Sequence, residues 1–556
     1  MNDSRHRVTR TGSHRFSLSA LTGPLRLSPP GRHSPYTGPP TEAQLVALRN
    51  LEGIAIQQAS PVPDEIIQEA DATRRGGFPW QLVAVLVVQA ILSVRLIWSN
   101  TAFADEGLYL WAGHTEWAHW LQGAPIPAWQ TWFSGSPVLY PPIGALADTV
   151  GGLMGARFLS LAFMLGSTCL LWDATCKLVS RRAAFVATAA FGTLAGTGFL
   201  GAFATYDSMA LMVLSAGTCL AVRASGGRGA KGFFLLPLAA VVLGVACAIK
   251  YAIALFVPVI VLIAFFHAAR ERGWGRAFRA SITLGVGFAV TIAAALALGG
   301  HSYMQGIQYT TLSRAAATAS PWSVLKLSYM WTAFIVVLAV LAVLISRKEK
   351  PAYRWLLRVL ALSVVLVPIE QARIDTTVSL HKHVVFGAWF AAMAAGYVLA
   401  KFSQVDKTRG WMVVVTIPIL VFALVQNVPQ ETGLYAKWTN LSAFAAQWPS
   451  LSARYPGYYL ADVDVYHVLG YYANGTLDWN RVESPEGLDP HPQNGFPVTR
   501  AGIADHTFSL VMVNVNKTSS YAPYDEAMMT EIKEAGGYRM VANADGIEAW
   551  ASAEQS

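Results

Sequence analysis

From about residue 79 the chain is a succession of apolar runs separated by short polar loops. A membrane-crossing helix needs about 20 predominantly apolar residues. Candidate runs fall at about 79–98, 154–172, 183–201, 208–222, 233–249, 252–267, 280–298, 324–346, 355–371, 384–400 and 411–427, which predicts about eleven transmembrane helices. After Asn427 the pattern becomes that of a soluble segment. YYLADVDVYHVL and FSLVMVNVN read as strands, YDEAMMTEIKEAG as a helix stopped by glycine, and YRMVANADGIEAW as a hairpin turning at Asp-Gly. The expectation is an α-helical polytopic membrane domain over 79–427, with a long loop at 99–153, and a small α/β domain over 428–556. Residues 1–78, with fragments such as LSPPGRHSPYTGPP, would bury no core and read as a disordered basic cytoplasmic tail. A start codon assigned too far upstream gives the same appearance. No cleavable signal is apparent before the first apolar run.

Composition agrees with a membrane protein. Hydrophobic residues make up 54% of the chain and charged ones 13%, against about a quarter charged in soluble domains. The net charge of +8 does not form a basic face interleaved with aromatics, so nucleic acid is not an expected partner. The bases sit in alternate short loops. With the N-terminus inside, the inner loops collect Lys177, Arg181, Arg182, Arg223, Arg270, Arg272, Arg347, Lys348, Lys401 and others. The outer loops between spans hold Lys250, Arg314, Lys326, Arg373 and Lys382. That asymmetry follows the positive-inside rule and puts the 99–153 loop and the C-terminal domain outside. Cys169, Cys176, Cys219 and Cys247 all lie in or beside apolar runs and offer neither a disulfide framework nor metal spacing. No cofactor and no protein metal site are expected, with a divalent cation left open.

Candidate chemistry concentrates on the outer side. Asp105 and Glu106 open the long loop, which carries no Lys or Arg from Asn100 to Ala156 but many Trp and Tyr residues. Locally the pair suits a helix start, Asp105 as cap and Glu106 in the first turn. A carboxylate partly out of water at the membrane boundary also suits a general base. Asp207, before SMALM, has the same two readings. Lys250 interrupts the apolar run GVACAIKYAIALF, either snorkelling or binding an anion. Arg157, about one turn inside the second span, could grip phosphate through its fork or pair with Asp148 or Asp105. His381, Lys382 and His383, with Arg373, form the densest outer cationic group. Arg95 reads as paired or donor-facing, and Arg314 and His301 are weaker candidates.

An Asp-Glu pair in the first outer loop after one N-terminal span resembles the GT-C membrane glycosyltransferases. The nearest branch is glycosyltransferase family 39, the protein O-mannosyltransferases and aminoarabinose transferases. VLYPPIGAL, GLMGARFLSL, ATYDSMALMVL and ACAIKYAIAL resemble, in order, the family's Tyr-Pro-Pro, Arg-, Asp- and Lys-containing segments over about 79–400, and SLHKHVVFGAWFAA resembles a bacterial subgroup. The large insertions of the eukaryotic enzymes are absent. The resemblance implies transfer of a sugar from a polyprenyl-phosphate donor to an acceptor on the outer face, by single displacement. Asp105 would be the base, Glu106 would position the acceptor or hold the loop, and Asp207 would be a second site acid. Lys250, Arg157, Lys382, Arg373, His381 and His383 would face the donor phosphate. Tyr109, Trp111, His114, Tyr140 and Tyr251 would line the sugar or acceptor. The rival readings are a secondary transporter and a non-catalytic subunit that binds polyprenyl lipid or polysaccharide.

Overall fold

The structure, a computed structural model, describes residues 79–227, 231–312, 319–402, 410–473, 476–489, 494–516 and 521–553; the basic segment 1–78 and Arg314 lie outside them. The described residues start with α1 (Trp80–Ile97), α2 (Ala104–Gln122), α3 (Tyr140–Leu178), α4 (Arg181–Gly192), α5 (Ala195–Gly201), α6 (Tyr206–Gly226) and α7 (Lys231–Ile249). It continues with α8 (Val257–Arg272), α9 (Trp274–Ile307), α10 (Pro321–Ile345), α11 (Pro351–Leu362), α12 (Leu366–Arg373), α13 (Leu380–Phe402), α14 (Gly410–Lys437) and α15 (Ser442–Arg454). Among the described residues, eight helical segments are long and apolar enough to cross a membrane, or nine if α4 and α5, bent by 71°, form one crossing. The expected spans at 233–249 and 411–427 fall on a shorter apolar helix, Phe234–Ile249, and on α14. The chain is a multi-pass membrane protein.

Helix ends follow local chemistry. Ser180, Thr205 and Ser320 cap α4, α6 and α10 by accepting Ala183, Asp207 and Ser323 N–H groups. Gly152 (φ 63°) and Gly300 (φ 70°) break α3 and α9, splitting off short segments from the membrane-length portions. The core helix is α13, with 89% of its apolar window buried, whereas only 6% of the corresponding window of α9 is buried. An apolar helix with so little protein around it faces lipid. At one end of the bundle Arg270 donates to Leu178 O and Arg272 to Gly226 O. Those acceptors close α3 and α6, so the arginines predicted for inner loops gather opposite to Asp207, which opens α6.

The C-terminal region is a five-stranded sheet, order β2-β1-β3-β5-β4, with β1 (Tyr459–Ala461), β2 (Val482–Glu483), β3 (Leu510–Asn514), β4 (Tyr538–Ala544) and β5 (Ile547–Ser552). β1 runs parallel to β2 and β3, with Tyr459 opposite Leu510; β5 runs antiparallel to β3 and β4. Helices α16 (Val463–Tyr472), α17 (Pro485–Leu488), α18 (Pro497–Ala504) and α19 (Ala522–Ala535) complete it. The hairpin turns at Asp545 (φ 57°) and Gly546 (φ 78°), as the Asp-Gly signal predicts. One expectation needs correction. YYLADVDVYHVL is not a single strand: β1 ends at Ala461, and Asp462 Oδ1 accepts the Asp464 and Val465 N–H groups at 3.0 and 3.1 Å, starting α16. Val465, Val468 and Leu469 then share the buried face at helical spacing.

This region rests directly on the 99–153 segment. A Cβ at Gly107 of α2 would lie 2.9 Å from His467 O, and one at Gly470 would meet the Trp111 ring at 2.3 Å. Tyr471 donates to Asp148 of α3 at 2.6 Å. The stretch of the 99–153 segment just before α3 also locks onto the membrane domain: Ser136 N–H donates to Ala248 O at 2.7 Å and Tyr251 N–H to Ser134 O at 2.9 Å. Between these bonds a Cβ on Gly135 would stand 2.0 Å from Ile249 O. Gly135→Ala is therefore expected to destabilise the protein by about 1–3 kcal/mol, the usual cost of overpacking. A melting curve of the detergent-purified variant reads this, and an unchanged midpoint would mean that the loop is not seated there.

Candidate active site

Two lysine–carboxylate pairs stand side by side at the end of the bundle where α2, α6 and α13 begin. Asp105 is the second residue of α2, and Phe103, an extended residue with no side-chain acceptor, occupies the cap position. Asp105 is thus not the helix cap. Its carboxylate pairs with Lys382 Nζ, which is nearly buried while Asp105 is about one-third exposed. Asp207 is likewise the second residue of its helix. Thr205 takes the cap, accepts the Asp207 N–H and donates its own hydroxyl to Asp207 Oδ2 at 2.8 Å. Asp207 Oδ1 lies 2.5 Å from Lys250 Nζ. Lys382 also acts electrostatically on Asp207, so the two pairs form one field.

The lysines are placed by breaks in helices. After α7 the backbone of Lys250 is extended (φ −147°, ψ 113°), and a 3-10 segment, Tyr251–Phe256, follows. This break turns the ammonium inward. It reaches His383 Nε2 at 3.0 Å and lies 4.8 Å from the Tyr206 ring centre. An ammonium group only donates, so His383 accepts at Nε2 and carries its proton on Nδ1. Lys382 follows a turn in which Asp375 (φ 49°) and Ser379 (φ 57°), neither a glycine, adopt left-handed backbone. Gln371 holds that turn by donating to Val378 O at 2.9 Å. Such strain persists where surrounding contacts over-determine the backbone. Lys382 Nζ lies 5.3 Å from the Phe203 ring centre. Beneath the pairs, Tyr109 packs against Tyr206, Phe133 and Tyr140, with ring centres 4.7, 5.3 and 6.2 Å away.

Other candidates have different surroundings. Arg157 and Glu106 are both fully buried and pair with each other. Arg157 Nε and Nη2 donate to Glu106 at 2.8 and 2.7 Å, Nη1 to Ile97 O and Asn100 O, and Nη2 to Thr101 O. Glu106 also accepts Phe103 and Ala204 N–H groups at 3.0 and 2.8 Å. All five guanidinium donors are engaged, so the phosphate-binding expectation for Arg157 is corrected: none is left for an anion. Glu106, fully buried, thus holds the guanidinium and two backbone amides at the start of α2. Arg373 pairs with Glu370 on an exposed surface. Arg95 pairs with Glu431. His381 turns toward the Phe199 and Trp331 rings at 4.8 and 5.6 Å. Trp111 packs with Trp129, Trp132 and Tyr466 beneath α16, and His114 Nε2 contacts Asp148 Oδ2 at 2.6 Å. Both therefore serve the join with the C-terminal sheet region. The Tyr251 hydroxyl is sealed from water without a hydrogen-bond partner among the described residues. The same residues contain no group of three or more His, Cys, Asp or Glu side chains that could hold a metal ion.

Sequence reasoning missed three neighbours. Tyr206 adjoins Asp207 and could have been read as an aromatic wall. His467 and Tyr521 lie within electrostatic reach of Asp105, and nothing in the tail's pattern pointed to them. Burial pushes the His467 imidazole down to about 4, so the ring beside Asp105 is neutral near pH 7.

The sequence matches no protein-family profile and no curated protein. Solved structures do match. ArnT from Cupriavidus metallidurans bound to undecaprenyl phosphate is 14% identical with a TM-score of 0.51, over 84% of this chain and 97% of that one. The archaeal oligosaccharyltransferase AglB from Archaeoglobus fulgidus, in complex with an inhibitory peptide and a dolichol-phosphate, is 12% identical with a TM-score of 0.51, over 84% of this chain and 74% of that one. The likeness is one of fold, and the fold is GT-C.

Removing one member of a buried, hydrogen-bonded ion pair costs about 3–5 kcal/mol, because the other charge is stranded. Arg157→Met and Glu106→Leu are each expected to lose stability on that scale, measured by thermal unfolding in detergent. Wild-type melting in either would show that the clamp does not hold the loop.

Proposed function

We propose that this chain is a membrane glycosyltransferase that moves a hexosyl or pentosyl group from a polyprenyl-phosphate donor to an acceptor hydroxyl, with Asp105 as general base. The observation that carries the reading is the adjacency of Lys382–Asp105 and Lys250–Asp207 at one end of a GT-C bundle. The ligands of the structural neighbours support the donor class: ArnT was solved with undecaprenyl phosphate and AglB with a dolichol-phosphate.

The chemistry follows from the pairs. A donor phosphate brings negative charge to two lysines that already neutralise carboxylates. Lys382 turns to the phosphate and leaves Asp105, whose side chain is the more exposed member of its pair, free to accept a proton. Asp105 takes the acceptor's hydroxyl proton as the oxygen bonds to the anomeric carbon. The bond from that carbon to the phosphate oxygen breaks, and the phosphate keeps the electron pair with inversion at carbon. Lys250 and Lys382 stabilise the departing charge. Asp207 and His383 hold Lys250 in place, and Tyr109 and Tyr206 supply an aromatic wall beside the sugar. Lipid-facing helices such as α9 leave room for an apolar chain.

The proposal places this chemistry on the extracytoplasmic side of a bacterial plasma membrane, with residues 1–78 as a cytoplasmic tail, 79–427 as the transmembrane domain and 428–556 outside. Single cysteines at Leu121 and Tyr458, both well exposed, are expected to react with an impermeant thiol reagent on intact cells. Labelling only after lysis would invert the orientation.

Asp105→Asn keeps the shape and removes the base. Transfer of labelled sugar from a polyprenyl-phosphate donor should fall by about 10²–10⁴, the usual loss for a general base, while donor binding persists. Lys250→Met should instead weaken donor binding. A fully active Asn variant would end the assignment of Asp105.

A further inference from the structure

The C-terminal region contains two buried carboxyls that the transfer reaction does not use. Asp462 follows β1 and caps α16, and Asp525 lies in the first turn of α19. Each satisfies one oxygen with backbone: Asp462 Oδ1 accepts from Asp464 and Val465 N–H, and Asp525 Oδ1 accepts from Asn514 N–H of β3 at 3.1 Å. The second oxygens, Asp462 Oδ2 and Asp525 Oδ2, are sealed from water and meet no N–H or O–H donor among the described residues. The two carboxyls interact with each other directly. Two acceptor-only carboxylates cannot hydrogen-bond, and two like charges in contact cannot both ionise. A single proton between them resolves both problems, as in other buried carboxyl pairs.

We propose that Asp462 and Asp525 share one proton and form a pH-sensitive latch that keeps α16 seated on the Asp105 helix. The geometry gives the latch its reach. Asp462 starts α16, and His467 of α16 lies against Gly107, two residues after Asp105, where a Cβ would already be too close. Asp525 ties the same point to β3 and α19. Opening the pair releases the start of α16 from the sheet, and with it the wall that carries His467 and Tyr466. The charged and titratable groups around the pair reinforce the effect. Asp464 of α16 acts on Asp525, and Tyr521, before α19, feels Glu486, Asp464, Asp105 and Asp462. None of these groups supplies a positive charge that would let both carboxyls ionise.

The direction of the pH effect follows. Burial, with the Asp462 charge next, pushes Asp525 up to about 9, whereas an unfolded aspartate titrates near 4. Between these values the folded state holds a proton that the unfolded state has released. Stability therefore falls as pH rises through that window, and is fullest below it. Asparagine at position 525 keeps an N–H donor for Asp462 and cannot ionise, so it should flatten the dependence.

The test uses the full-length protein in detergent, melted from pH 5 to pH 9, as wild type and as Asp525→Asn. The wild-type midpoint is expected to drop by several degrees more than that of the variant over this range. Equal slopes would overturn the proposal. Should Asp525→Asn not fold, Asp462→Asn is melted in its place, with the same expectation. Amide exchange of α16 in the wild type, corrected for intrinsic rates, supplies a second reading. Faster local opening of α16 at pH 9 than at pH 6 supports the latch, and unchanged protection overturns it. Neither readout requires catalytic turnover, so failure of the transfer reading and failure of the latch are distinguishable.

Discussion

Burying the Arg157 guanidinium and the Glu106 carboxylate together is the constraint on which the site depends. Neither charge could remain in a dry interior alone. Together they meet every donor of the guanidinium and gather the chain from Ile97 to Thr101, the start of α2 and the Ala204 amide into one point. That point joins the segments that present Asp105 and Asp207. The Trp438 ring, 5.7 Å from the guanidinium carbon, extends the same join to the chain leaving α14. A buried pair of this kind contributes little net stability relative to an apolar replacement. Its value lies in geometry, because three carbonyls and two amides can be satisfied in only one arrangement.

The two lysine–carboxylate pairs next to it are placed differently. Asp105 and Asp207 are each one residue inside a helix start, where the backbone's positive end favours an anion. Lys250 and Lys382 stand where helices break or begin, so neither charge has to be carried deep into the apolar bundle. Charges in such positions suit an interface between lipid and water. A secondary transporter would place them near the middle of its helices instead. In the proposed reaction Lys382 exchanges its carboxylate for the incoming phosphate while Asp207 keeps Lys250 in place, which links anion binding to the freeing of Asp105.

The C-terminal sheet region closes the site from above. Trp111, His114 and Asp148, all in the 99–153 segment, meet Tyr466, Gly470 and Tyr471 of α16. Aromatic residues that look from sequence like a sugar platform are in large part the packing between two layers. Tyr109 is the exception, lying beneath the pairs.

The apolar runs by themselves determined the membrane character and the places of most spans, because hydrocarbon demands length and apolarity that any reader of the chain can count. The Asp-Gly hairpin and the α19 stop at glycine were legible for the same local reason. Asp105, Asp207, Lys250 and Lys382 stood out as charges at the edges of apolar runs. What only the tertiary structure decided is which charge meets which. Arg157 looked free to bind phosphate until Glu106, 51 positions away, and three carbonyls took its donors. Lys382 comes to Asp105 across 277 positions, and Asp462 to Asp525 across the sheet. Pairing over such distances depends on how helices and strands pack, and no local pattern of residues encodes it.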